Sequence, residues 1–218
     1  MEGIFITLEG PDGSGKSTIM KNITNYLEGK DIDFIVTREP GGTKIGEKIR
    51  DIILDKDNHI MAAETEALLY AASRSQHIHE KILPALKAGK VVLCERFILS
   101  SLAYQGIGRN LGIEEVRMIN DFGIKGIRPD LTLFFHVDPG TTLNRKTIKK
   151  GGDRLEAEGI DFHRQVYDGY MQLLKIYPEN IQIVDATKSK ENVFNQSIFY
   201  IEKIINKRSI PVINKNHI

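Results

Sequence analysis

Apolar, β-branched runs recur along the chain at 4–8, 34–37, 91–94, 131–137 and 181–184. Each run is continuous instead of alternating, which predicts five strands buried on both faces. Between them lie stretches with apolar residues at helical spacing: Ile19, Ile23 and Leu27, then 64–86, 114–124, 162–176 and 192–205. Strand alternating with helix predicts an α/β fold: a parallel five-stranded sheet, helices on both faces, and ligands at the carboxyl ends of the strands. There is no internal repeat and no linker rich in Pro or Ser. Residues 1–206 are therefore expected to form a single domain, and residues 207–218, around Pro211, a C-terminal tail.

Composition narrows the partners. Thirty basic against twenty-nine acidic side chains leave a net charge of +1 over 218 residues. No global field would attract nucleic acid or a membrane surface, and neither is expected as a partner. The lone Cys94 has no intrachain disulfide partner, which fits a reducing compartment. Residues 1–9 lack the basic start and long apolar stretch of a signal peptide, so a cytoplasmic protein is expected.

The chemistry begins directly after the first strand. Gly10, Pro11, Asp12, Gly13, Ser14, Gly15, Lys16, Ser17 and Thr18 spell a phosphate-binding loop between a strand and a helix, as in P-loop NTPases. Glycines let the backbone turn its N–H groups toward an anion. Lys16 can reach the outer phosphates, the Ser17 hydroxyl can ligate Mg²⁺, and the helix adds its positive end. A bound ATP with Mg²⁺ is the expectation.

A triphosphate loop alone does not separate a kinase from a hydrolase or a switch. Arg38, Glu39, Pro40 and two glycines follow the second strand; Arg50, Arg74 and Arg96 come later. Arginine's planar fork grips phosphate in a bidentate manner, so these cations suggest a second phosphate site. Residues 145–154 form a basic stretch, RKTIKKGGDR, between two helices. The alternatives are a solvated charge run and a mobile lid. Since Pro11, Asp12 and Ser14 supply no cation, the transition-state charge needs another source, and a short lid over about 145–157 is expected.

Taken in order, GPDGSGKS, TREPGGT, LLYAASR, SSLAYQG and RPDLT closely resemble the thymidylate kinase family of the bacterial type, over about residues 3–205. The resemblance implies transfer of the γ-phosphoryl of MgATP to dTMP by a homodimer packed through helices. It implies that Tyr70 stacks on thymine, Arg74 reads O4, and Ser101 and Gln105 face the rest of the base edge. Tyr104 would pack on the deoxyribose, with Glu39, Pro40 and Ser100 in the same site. Arg38, Arg50 and Arg96 would hold the acceptor phosphate, with Asp12 near the sugar and phosphates. Arg145 would lie beside adenine, and Asp153, Arg154 and Glu156 match the lid motif of the subtype whose catalytic cation, here Arg154, comes from the lid. Lys16, Arg96, Arg154, Asp12 and Glu95 are the implied catalytic group, with Ser17 and Glu95 at Mg²⁺.

One departure stands out. Glu95 occupies a position where the family usually has Asp, placing the carboxylate about 1.5 Å further out. A Glu-Arg pair there also resembles the deoxynucleoside kinases, which act on a 5′-hydroxyl, so that activity remains an alternative, as does a nucleotide switch. His77 and His79 lie two apart on a helix and cannot share one ion. Cys94 reads as a core thiol, and Tyr167, Tyr170 and Tyr177 as helix packing.

Overall fold

The computed structural model describes residues 3–138, 140 and 152–208. Five strands, β1 (Ile4–Glu9), β2 (Phe34–Arg38), β3 (Val91–Glu95), β4 (Leu131–His136) and β5 (Ile181–Asp185), form one parallel sheet in the order β2-β3-β1-β4-β5. The helices are α1 (Lys16–Gly29), α2 (Lys44–Leu54), α3 (Ala63–His77), α4 (Leu83–Lys87), α5 (Ile98–Ser101), α6 (Ile113–Ile124), α7 (Ile160–Ile176) and α8 (Lys190–Arg208). A π-helical turn (Ile78–Ile82) joins α3 to α4, and another (Leu102–Gly108) continues α5.

The apolar runs explain the two layers. Ile4, Ile6 and Leu8 of β1 point to one face, where they meet Ile19, Ile23 and Leu27 of α1 and Ile201 of α8. Phe5 points the other way, into a cluster with Ile78, Ile82, Val92 and Phe97. Phe134 of β4 shares that second face with Tyr104, Tyr170 and Leu173. Both sets are fully buried because helices cover both sides of the central strands.

Burial on both faces does not hold for β2 and β5, and the expectation is corrected there. Val36 is 41% exposed and Ile183 50% exposed. These strands are the two edges of the sheet, so fewer helices reach them. The expected tail is corrected at its start, since α8 runs through Lys207 to Arg208; the remainder lies outside the described residues.

The register sets the site. Leu8 of β1 and Arg38 of β2 both pair with Glu95 of β3. The loops opening at Gly10, Glu39 and Arg96 therefore leave the sheet side by side at its carboxyl edge, where doubly wound sheets bind ligands. Among the described residues no helix is long and apolar enough to cross a membrane.

Candidate active site

The loop after β1 has the backbone its glycines permit. Gly10 adopts φ 132°, and a Cβ there would meet the Phe135 carbonyl of β4 at 2.7 Å. Gly15, at φ 92°, is the N-cap of α1, so Lys16 opens the helix. The Lys16 side chain is buried and folds back over the loop, its Nζ donating to the carbonyls of Gly10 at 3.0 Å and Pro11 at 2.9 Å. Burial first, and the Arg96 charge second, lower its pKa to about 7. Anionic phosphates would offset both effects.

Ser17, in the first turn of α1, donates to both oxygens of Glu95, at 3.1 and 2.9 Å. The longer acid thus reaches the P-loop hydroxyl directly. Oxygen-only donors at this point suit Mg²⁺, and Ser17 and Glu95 are the residues that would hold it.

Every residue expected at dTMP except Arg38 lines a single cavity, together with Asp12, Leu54 and Leu155. Arg96 sits at φ 66°, an uncommon backbone state for a non-glycine residue. Two groups hold it there. Its own N–H donates to the Leu8 carbonyl, and the buried carboxylate of Glu9 accepts from the backbone N–H of Phe97 at 2.8 Å and from the Ser100 hydroxyl at 2.5 Å. Burial pushes the Glu9 carboxyl up, against the pull of Ser100 and Arg96. The Arg96 guanidinium then donates to Asp12 at 2.8 Å, Ser100 at 3.0 Å and the Tyr170 hydroxyl at 3.2 Å. Tyr104 donates to the other oxygen of Asp12 at 3.1 Å, and its ring lies 5.2 Å under the Arg96 carbon.

Arg74 is 1% exposed and heavily engaged. Its Nε donates to Glu39 at 2.6 Å, one terminal nitrogen to Ser101 at 3.0 Å and to Asn120, and the other to the Phe97 carbonyl at 3.0 Å. Four of the five guanidinium N–H groups are thus used within the described residues, leaving one for a ligand. Arg50 lines the cavity and donates to the Pro40 carbonyl at 2.9 Å.

Two sequence expectations meet a different geometry. Arg38 is not brought to the cavity: its fork grips Glu47 through two 2.9 Å hydrogen bonds, on an exposed flank. Glu47 is fixed in turn by the Gly42 N–H, so the loop turns Arg38 outward. Arg154 is not over the P-loop in this conformation. It is buried, donating to Glu66 at 2.6 Å and the Ile53 carbonyl at 2.8 Å. Arg145 lies outside the described residues, as does most of the expected lid.

Glu39, His77 and Cys94 place ligating atoms within 4.8 Å of one another. His77 already binds Glu39 through Nδ1 at 3.0 Å and Thr37 through Nε2 at 2.6 Å, and the other Glu39 oxygen holds Arg74. The Cys94 thiol donates to the Arg96 carbonyl, and burial pushes its pKa up. Such a set reads as a hydrogen-bond network bracing the loop after β2. Sequence reasoning missed the roles of Glu9, Glu66 and Asn120, and read Tyr170 as packing alone.

The sequence profile of the thymidylate kinase family matches residues 8–197. The chain belongs to the thymidylate kinase family. It is 58% identical to a thymidylate kinase of Finegoldia magna, over 92% of this chain and 98% of that protein. It is 53% identical to one of Clostridium novyi, over 89% and 96%. The crystal structure of the thymidylate kinase of Ehrlichia chaffeensis superposes with a TM-score of 0.73 at 28% identity, covering 92% of this chain and 99% of that one. As a thymidylate kinase the chain is a nucleoside monophosphate kinase, an ATP:dTMP phosphotransferase.

Proposed function

We propose that the P-loop holds ATP, that the cavity beside it holds dTMP, and that Arg96 lies where the two meet. The observation that carries this reading is the Arg96 cluster. A fixed guanidinium touches Asp12 of the P-loop on one side and lines the acceptor cavity on the other. In the cavity Arg50 and Arg96 take the acceptor phosphate, Tyr70 stacks on thymine, and Tyr104 excludes a 2′-hydroxyl. Mg²⁺, when bound by Ser17 and Glu95, neutralises charge on the donor phosphates.

The chain's own residues have little covalent chemistry to perform. The acceptor phosphate, with a second pKa of about 6, is already largely dianionic, so alignment and charge neutralisation suffice. Lys16 and the loop N–H groups neutralise the donor. Arg154 meets the transferring group only after leaving Glu66. A deoxynucleoside kinase would need a free carboxylate base, whereas both oxygens of Glu39 are taken by Arg74 and His77. Exposed Leu68, Met118 and Phe122, on the adjoining helices α3 and α6, support a homodimer through that face. We place the enzyme in the cytoplasm, with the nucleotide pool it draws on. Assaying dTMP beside thymidine with MgATP tests the reading.

A further inference from the structure

We infer that Glu66 is a positioning residue: it fixes the Gln105 amide in one orientation, and so sets the hydrogen-bond polarity with which the cavity meets a base. The inference rests on the reading of that cavity as the dTMP site.

Glu66 lies on α3, one turn before Tyr70, and is 1% exposed. Its carboxylate gathers three side chains from distant parts of the chain. Oε1 accepts from Gln105 Nε2 at 2.9 Å, while Oε2 accepts from Arg109 at 3.1 Å and Arg154 at 2.6 Å. Burial raises its pKa, but the hydrogen bonds from Gln105, Arg109 and Arg154 more than compensate and keep it ionised. An ionised carboxylate only accepts, so a neighbouring amide must turn its NH₂ toward it. Gln105 Oε1 is then left over. It is, among the described residues, the buried side-chain polar atom without a hydrogen-bond partner, and Gln105 lines the cavity. Such an atom is costly unless a ligand meets it.

The cavity is thus lined both by an acceptor from Gln105 and by Arg74, which keeps one N–H unused among the described residues. Their complement is a ring edge with a carbonyl oxygen next to an N–H, as in thymine or uracil. Cytosine presents an amino group and a bare ring nitrogen at the same positions, and is mismatched at both. Glu66 never touches the base, yet it decides which end of the amide does. Replacing it by glutamine, which both donates and accepts, lets the Gln105 amide turn over.

The test is kcat/KM for dTMP and for dCMP in the wild type, Glu66→Gln, Gln105→Met and the double variant. The wild type should prefer dTMP strongly; if it does not, the reading of the cavity fails, whatever Glu66 does. Glu66→Gln should cut the dTMP:dCMP ratio by about tenfold or more. In the Gln105→Met background, the same change should leave the ratio untouched, because the effect runs through the amide. A merely structural role would lower both substrates together; an unchanged ratio in Glu66→Gln overturns the inference. Should that variant not fold, Glu66→Gln/Arg154→Gln leaves no buried guanidinium without its acid, and the same ratio decides.

Discussion

Ser17 and Glu95 touch across the sheet's carboxyl edge, the P-loop hydroxyl donating to both carboxylate oxygens at 3.1 and 2.9 Å. The longer acid therefore needs no bridging water to meet the P-loop. Glu95→Asp withdraws the carboxylate by about 1.5 Å, and a water can fill the gap while the charge is kept. The dTMP kinase rate should stay within about tenfold, ~1.4 kcal/mol on the barrier. Glu95→Gln keeps the reach and loses the charge. It should reduce kcat by roughly a hundredfold or more and raise the Mg²⁺ concentration needed for half-maximal rate. Equal activity in the two variants would count against a metal-orienting role.

Lys16 gives a pH signature. Its pKa is lowered to about 7 in the free protein, chiefly by burial. Bound phosphates favour the charged form, so the complex has the higher value. Binding of MgATP should then take up close to one proton at about pH 8, and the affinity should fall as pH rises above about 7. Calorimetry in buffers of different ionisation enthalpy measures the uptake. Zero uptake, or proton release, contradicts it.

The arginines separate by position. Arg38 is turned onto Glu47 at the surface, so Arg38→Ala should change kcat/KM for dTMP by less than about threefold. Arg50→Ala and Arg96→Ala remove charged donors lining the cavity, and each should cost about 10–100-fold. Steady-state kinetics on the three variants decide it; a large loss in Arg38→Ala would mean that the loop swings inward with substrate.

How much of this was legible in the sequence depends on how local the cause is. Strand starts at 4, 34, 91, 131 and 181 were readable because a continuous apolar run marks a strand in a parallel sheet. Which strands form the edges was not, because order in a sheet is decided by partners remote in sequence. The π-helical stretch after α5 was hidden too, Gly106, Ile107 and Gly108 arguing against a helix. The P-loop was legible as a turn between a strand and a helix, since one short segment contains the whole motif. Tyr170 was not: its hydroxyl meets Arg96 from 74 positions away, while Glu9 meets Ser100 from 91. A buried polar side chain shows its purpose only once its partner is in place. The place of Arg38 was hidden in the same way, since Glu47 turns its head outward.

Arg154 has two duties to tell apart. It is observed docked on Glu66, and it is proposed to act as the catalytic cation over the transferring phosphoryl group. Arg154→Ala should lower kcat by about 10²–10⁴ with only a small change in KM for dTMP, because a cation met only as the phosphoryl moves acts on the barrier. Thermal unfolding should also shift down by a few degrees, as a buried acid loses one of its two arginines. A lower Tm with kcat intact would assign it to docking alone.

The cavity is proposed to take a monophosphate and not a nucleoside. The most direct measurement is a coupled assay of ADP release with MgATP, comparing kcat/KM for dTMP and thymidine in the same preparation. Turnover of dTMP should be efficient and the rate for thymidine lower by about a thousandfold or more, because Arg50 and Arg96 lose their anion, Glu39 is held by Arg74 and His77, and Glu95 is turned onto Ser17. Comparable turnover of thymidine, rising with pH through a carboxylate pKa and abolished in Glu95→Gln, would contradict it and make Glu95 the base of a nucleoside kinase.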